Sequence, residues 1–310
     1  MLIGIRQCEQ VESFYQELGV PTSPLRISGK FNPLAKSRVK KLIKSLKPDV
    51  VHTHLSTASH WGLRAAKEMG IPGIGHMHSF NSVGPYANAT RMIAVSNAVK
   101  NHLVDAGFPM TNVAVVFPSS IIDNSEPAPD ILALGDPIIS CAARLREDKG
   151  IGVLLEAFSE VQKRMPKASL VLCGDGPMRA EIEASKPPGV HCKGYRSDVP
   201  AVFAASTLSV LPSIRPEGYG MALYESQAVG TPVVTTAAGG TQEAMVDCIT
   251  GLVVPPSFAQ ELASAILLIA ENPEKRREMA AAAKTFAKTR TIEASADELL
   301  KTFDSLTPAS

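Results

Sequence analysis

The sequence has no C-x-x-C pair, no apolar run near the length needed to cross a bilayer, no net charge to speak of and no internal repeat. Each absence excludes something. The five cysteines, Cys8, Cys141, Cys173, Cys192 and Cys248, are odd in number and scattered. Several sit inside apolar runs, so they read as reduced and mostly buried thiols rather than a disulfide framework. Only Met1–Ile5 precede Arg6, too few residues for a signal-peptide core. No stretch approaches the ~20 apolar residues of a membrane span, so the reading is a soluble or peripheral protein. With 31 basic and 30 acidic residues the net charge is +1, which argues against nucleic acid as a partner. No repeat of 20–50 residues marks a solenoid or propeller. One absence is local. From Arg26 to Lys47 there are eight Lys or Arg and no acid.

What is present is rhythm. Short apolar runs at Val50–His52, Gly73–His76, Arg91–Val95 and Val113–Phe117 read as strands, and Ala58–Met69 and Asn97–Ala106 between them read as helices. Ser96 is a candidate N-cap and Gly107 a stop. Asp123–Pro137, crowded with Asp, Asn, Ser, Pro and Gly, breaks the pattern and reads as a linker. The alternation then resumes. Strands are expected at Ile138–Ala142, Ser169–Cys173, Val190–Lys193, Leu208–Leu211, Pro232–Thr235 and Gly251–Val254. Helices are expected at Gly150–Arg164, Pro177–Ala184, Val199–Ala205 and Met221–Val229, with helical sequence from Ser257 onward. The expectation is an α/β protein of two doubly wound, Rossmann-like domains, 1–125 and 126–310, facing a cleft. The last helix is a candidate to pack back on the first domain. Chemistry should lie in loops just after strands.

Four groups of residues stand out. In Arg215-Pro216-Glu217-Gly218-Tyr219-Gly220-Met221, proline and two glycines open a helix that carries Glu225. Free amides and the helix dipole make such a start an anion site, and two nearby acids suit sugar hydroxyls. An ordinary turn with two surface acids is the competing reading. In Ala143–Gly150, Arg144 and Lys149 lie across one loop and could clamp a diphosphate, although a solvated charged loop explains the segment as well. Cys173-Gly174-Asp175-Gly176-Pro177 is a tight turn whose Asp175 could reach a base or ribose, and a purely structural turn is the simpler account. Five of seven histidines fall between His52 and His78. Partners two apart share a strand face, but no carboxylate or cysteine completes a recognisable metal-ligand pattern.

In this order the segments resemble the large family-4 group of retaining GT-B glycosyltransferases. Pro48–His54 is similar to its strand into H-x-H, Ile71–Phe80 to the next strand into a histidine loop at His78-Ser79, and Ile93–Ser96 to its V-S strand end. Arg144–Gly150 resembles R-L-x-x-x-K-G, Leu172–Pro177 the strand into G-x-G-P, and Gly194–Ser213 the segment ending L-P-S. Glu217 and Glu225 match E-x7-E, followed by Gly230–Val234 and Gly239-Gly240. The departures are Pro118-Ser119-Ser120 for the usual Asn-Gly turn and Ala143 for glycine. Nothing before Met1–Ser28 matches the group's opening strand, Gly-Gly loop and helix, so a first domain short of one β-α unit is expected.

The resemblance implies transfer of a sugar from a nucleotide-diphosphate sugar to a glycan or lipid-linked acceptor, with retention, in cell-envelope polysaccharide synthesis. It implies Arg144 and Lys149 on the diphosphate, backbone amides of Gly218, Tyr219, Gly220 and Met221 assisting, Glu225 on the ribose, Glu217 on the donor sugar and His78 beside the reacting carbon. Gly174 and Asp175 belong to the same donor side. No cofactor and no metal is expected. A cytoplasmic location is implied, with residues 32–47 docking on anionic lipid at the inner membrane face or, alternatively, forming an ordinary sheet-covering helix. A glycoside hydrolase using Glu217 and Glu225, a nucleotide-sugar epimerase and a non-catalytic nucleotide-binding or regulatory chain are the competing functions.

Overall fold

The computed structural model describes residues 3–5, 15, 17–25, 27, 29, 32, 34–120, 125–185 and 187–306. Cys8, Arg26, Lys30 and the start of the expected linker, Asp123 and Asn124, lie outside them. The chain divides into two compact units. Unit 1 comprises residues 1–94, 100–114 and 300–310, and unit 2 comprises residues 95–99 and 115–299.

Unit 1 contains a small parallel pair, β1 (Ile3–Ile5) with β2 (Thr22–Pro24). Helix α1 (Ala35–Leu46) follows, then β3 (Val51–His54), α2 (Ser56–Glu68), β4 (Gly73–Met77), β5 (Arg91–Ala94), α3 (Asn97–Asp105, whose first residues belong to unit 2) and β6 (Val113–Val115). The sheet order is β3-β4-β5-β6. α1 is amphipathic because Val39 and Ile43 recur at i, i+4 and are buried against Ala65 of α2. Its polar face is already partly engaged. Lys36 and Lys40 pair with Glu68 at 3.2 and 2.6 Å, contacts that solvent screens. Ser96 Oγ accepts from Val99 N at 3.1 Å, which is the N-cap its side chain suggests.

Unit 2 is a six-stranded, wholly parallel sheet. After the short helix α4 (Pro129–Leu132) come β7 (Ile138–Ala142), α5 (Ile151–Arg164), β8 (Ser169–Cys173), α6 (Arg179–Ser185), β9 (Val190–Gly194), α7 (Val199–Ala204), β10 (Leu208–Leu211), α8 (Met221–Ala228), β11 (Val233–Thr236), β12 (Gly251–Val254), α9 (Ala259–Ala270), α10 (Pro273–Ala287) and α11 (Ile292–Asp304, whose last residues, from Leu300, belong to unit 1). The order is β12-β11-β10-β7-β8-β9. Strands covered on both faces must be apolar at every position, and β8 is buried throughout. Its side chains alternate between two cores. Leu170 and Leu172 join Phe158 of α5 and Ile266 of α9 on one face, and Val171 and Cys173 join Ile131 and Val202 on the other.

Two expectations need correction. The Asp123–Pro137 stretch is not simply a linker. Ile131 is fully buried, and Ala128 N donates to Ala201 O at 3.0 Å, because an Ala-Ile-Leu face survives among the turn residues. Helix α6 starts at Arg179, not Pro177. Met178 N is drawn to Leu145 O at 3.1 Å, and Gly176 O receives Arg179 N at 3.0 Å. Of the described cysteines, Cys141 and Cys173 are buried, Cys192 is half-buried and Cys248 is exposed. Among the described residues no helix is long and apolar enough to cross a membrane. The chain passes from unit 1 to unit 2 at residues 114–115. Residues just beyond are held by unit 2. Arg290 lies 3.9 Å over the Phe117 ring, and Ser295 Oγ donates to Phe117 O at 2.7 Å.

Candidate active site

The order of unit 2 creates one topological switch point. β8 and β9 lie to one side of β7, and β10, β11 and β12 to the other. The loops leaving the carboxyl ends of β7 and β10 flank this switch point, the general location of ligands in open parallel sheets. These two loops carry Arg144, Lys149 and Glu217.

The loops are cross-tied. Ile214 N donates to Asp148 O at 3.1 Å. Gly150 adopts φ +68° at the start of α5, and a Cβ there would lie 1.9 Å from Pro212 O. Only glycine permits both the left-handed backbone and the close approach. Lys149 Nζ consequently meets Glu217 Oε1 in a short ion pair, both side chains mostly buried. Ser213 Oγ donates to the same oxygen at 2.5 Å. Glu217 Oε2 has no partner among the described residues. The backbone of Glu217 is pinned as well, its N–H to Ala238 O at 3.0 Å and its C=O to Gly240 N at 2.9 Å.

Arg144 is exposed at the end of β7 and its guanidinium has no partner among the described residues. Its loop rests on the turn after β8. Leu145 N donates to Asp175 O at 2.9 Å, and Ala143 N to Cys173 O at 3.0 Å. Gly174, with φ +139°, would place a Cβ 2.0 Å from Ala143 O. The Asp175 carboxylate is occupied locally, Oδ1 with Gly176 N at 2.8 Å and Oδ2 with Arg179 at 3.3 Å. Gly174 and Asp175 therefore support the Arg144 loop.

Helix α8 begins directly after the β10 loop. Gly220 is its N-cap with φ +98°, and no side chain caps it. Among the described residues no side chain therefore answers the positive end of the helix dipole. Tyr219 points inward. Its ring is buried, 5.7 Å from that of Phe117, and burial pushes its hydroxyl up to about 12. Only the backbone of Tyr219 remains for a ligand. Glu225 is half-buried on α8, and burial raises its carboxyl pKa above the usual value.

In unit 1, β3 and β4 pair in parallel with His54 opposite His76. Side chains alternate, so His52 and His54 share a face with His76 and with His78 just beyond β4. His54 Nδ1 lies 2.9 Å from His78 Nε2. Burial, reinforced by the neighbouring imidazoles, lowers His52 to about 3, His54 to about 4 and His76 to about 2, and burial alone lowers His78. All four rings are neutral at pH 7.

Comparison with known proteins decides the family. The model of the family described as glycosyl transferases group 1 matches residues 125–286, more than half of the 310 residues. The chain belongs to the group 1 glycosyl transferases. The model described as glycosyltransferase family 4 matches residues 6–119. An alpha-D-kanosaminyltransferase of Streptomyces kanamyceticus is 31% identical over 171 residues, covering 53% of this chain and 44% of that relative. A GDP-mannose-dependent mannosyltransferase of Mycolicibacterium smegmatis, acting on phosphatidylinositol monomannoside, is 27% identical over 215 residues, covering 62% and 56%. The chain spans about half the length of these curated relatives. HepE of Anabaena, solved in complex with UDP, superposes with a TM-score of 0.86 at 21% identity, covering 98% of this chain and 92% of that one. That likeness supports the GT-B fold expected from the sequence.

This group 1 glycosyl transferase also uses residues that the sequence did not single out for a role. Ser213, one residue past the L-P of its motif, orients Glu217. Glu243 caps α3. Its carboxylate accepts from Asn97 N, Asn97 Nδ2 and Ala98 N, each at 2.8 Å. No local signal points to a cap supplied 146 residues away.

Proposed function

We propose that the chain transfers a sugar from a nucleoside-diphosphate sugar to a hydroxyl-bearing acceptor, a glycan or lipid-linked glycan, with retention of configuration. What supports this reading is that Arg144, Lys149 and the start of α8 all lie on the loops after β7 and β10, which flank the switch point of the unit 2 sheet. Breaking the anomeric C–O bond places negative charge on the leaving diphosphate. Arg144 offers a planar fork of donors, and Lys149 keeps N–H groups beyond the one engaged by Glu217. Preplaced donors of this kind stabilise developing charge without reorganisation.

Glu217 has a double role in this proposal. Oε1 is held by Lys149 and Ser213, while Oε2 is left to accept a donor-sugar hydroxyl. Glu225, about one turn into α8, would accept from the vicinal hydroxyls of the ribose. His78, neutral at pH 7, would lie beside the reacting carbon. The cations supply the charge, so transfer would proceed without a metal. The family membership supports the reaction class. The relatives' donors differ in base, UDP in the HepE complex and GDP-mannose in the mannosyltransferase, so either base is a candidate. The exposed Lys41, Lys44 and Lys47 of the α1 region would face an anionic lipid surface carrying the acceptor.

The test is calorimetric binding of UDP and GDP to the full chain in EDTA, followed by a donor screen with liberated nucleotide as readout. One nucleotide is expected to bind, with turnover on adding acceptor. Absence of binding by either nucleotide diphosphate would sink the assignment.

A further inference from the structure

His52, His54 and His76 have no part in the reaction proposed above, yet their arrangement is specific. With His78 they form a two-by-two patch of imidazoles on one face of the unit 1 sheet. Ring centroids are 4.3 Å apart for His52 and His54, 4.8 Å for His54 and His76, and 4.4 Å for His76 and His78. Phe303 closes one side, its ring edge-on to His52 at 5.4 Å. His76 is 8% exposed, and among the described residues both of its buried ring nitrogens lack a hydrogen-bond partner, as does His52 Nε2. Buried polar atoms of this kind are normally satisfied. One ligating nitrogen from each of His52, His54 and His76 lies within 4.8 Å of the others.

We propose that His52, His54 and His76 bind one borderline divalent transition-metal ion of the zinc class. The donor set decides the class. Hard cations such as Mg²⁺ and Ca²⁺ take oxygen ligands, and this cluster has no carboxylate. Imidazole nitrogens suit Zn²⁺, Co²⁺, Ni²⁺ and Cu²⁺. Zn–N bonds of about 2.0–2.1 Å in a tetrahedral site require nitrogens roughly 3.3–3.4 Å apart. The patch must contract by about 1.4 Å, within reach of His χ2, which is a soft torsion. His78 is the outer partner. With a proton on His54 Nδ1 donated to His78 Nε2, His54 Nε2 keeps its lone pair for the metal, the arrangement by which second-shell groups fix a ligand's tautomer. Three protein ligands leave the fourth position to water.

The metal ligands all belong to unit 1, and Arg144, Lys149, Glu217 and Glu225 all belong to unit 2, so either assignment can fail without the other. The test uses the full chain without a histidine tag, stripped with EDTA and dialysed. Zn²⁺ is titrated by calorimetry, and Co²⁺ by its visible d–d absorption. One ion per chain is expected, with Zn²⁺ displacing Co²⁺. H52Q and H76Q should each weaken Zn²⁺ by more than the about 10–100-fold that loss of an outer partner costs, while H191Q should leave it unchanged. Substoichiometric binding, or binding untouched by H52Q and H76Q, would overturn the site. Should either variant fail to fold, pulsed EPR of the Cu²⁺-loaded wild-type chain decides. Three coupled imidazole nitrogens support the proposal and fewer reject it.

Discussion

The carboxyl ends of the two sheets hold opposite chemistries. In unit 2 the switch-point loops carry fixed charge, with Lys149 and Glu217 paired under partial burial and Arg144 left open to solvent. In unit 1 the ends of β3 and β4 carry four imidazoles whose pKa values burial lowers, reinforced for His52, His54 and His76 by their imidazole neighbours. The same architecture supports both because a parallel sheet fixes only where loops emerge. Charge can be held at such a place when it is paired and hydrogen-bonded, and titratable nitrogens can be held neutral when desolvation outweighs protonation. The first arrangement suits an anionic leaving group. The second suits a ligand that binds neutral nitrogen.

The comparison can be broken most strongly at Lys149. K149A is expected to lower turnover by about 10²–10³, or 3–4 kcal/mol of transition-state stabilisation. R144A, removing the open cation, should lower it at least about tenfold. Steady-state kinetics with the identified donor checks both, and unchanged values would reject the diphosphate clamp. The loop contact comes next. G150V should cost about 2–4 kcal/mol of stability, since both a left-handed φ and the Pro212 carbonyl oppose a side chain. Denaturant melts measure this, and a neutral result would show that the two loops are free to separate.

Glu225 sharpens the comparison because burial raises its pKa in the folded chain above the value of 4.5 it has when unfolded. Below 4.5 both states hold the proton and the carboxyl favours folding. As pH rises through the folded pKa that contribution is lost. At pH 7, E225Q is therefore expected to raise Tm slightly while weakening nucleotide affinity about tenfold, one charge-assisted hydrogen bond. An unchanged nucleotide affinity would remove the ribose role.

The smallest expected effect concerns the imidazoles. Their folded pKa values lie below the unfolded 6.5, so the unfolded chain binds more protons between those values. Stability present above 6.5 is lost as pH falls toward 4. In EDTA, Tm should drop by about 3 °C or more over that range, and less in an H52Q/H76Q double variant. An equal slope in both would show that these rings do not govern acid stability.

Much of this molecule was legible before its structure. The alternation of apolar runs and amphipathic stretches gives every strand from β3 to β12, most sharply in β8 and β10, which are buried throughout. The run Ile138–Ala142 and the glycine at 150 are local signals with local causes, and Arg144, Lys149, Glu217 and Glu225 were singled out by residue type and position alone. Period-two alternation already put His52 beside His54.

What the chain could not reveal locally is which distant groups meet. Glu217 lies 68 residues from Lys149, and their pairing follows from β10 lying next to β7, a matter of strand order. Glu243 meets Asn97 across 146 residues, a contact that no local pattern announces, and His54 faces His76 because β3 and β4 pair in that register. The side of the backbone on which Tyr219 falls, inward rather than toward a ligand, was likewise decided by packing against Phe117. Local composition determines what each segment is, since propensity and burial act on neighbours in the chain. Partners far apart in sequence are chosen by the sheet, because hydrogen-bonded strand order sets which loop ends stand side by side.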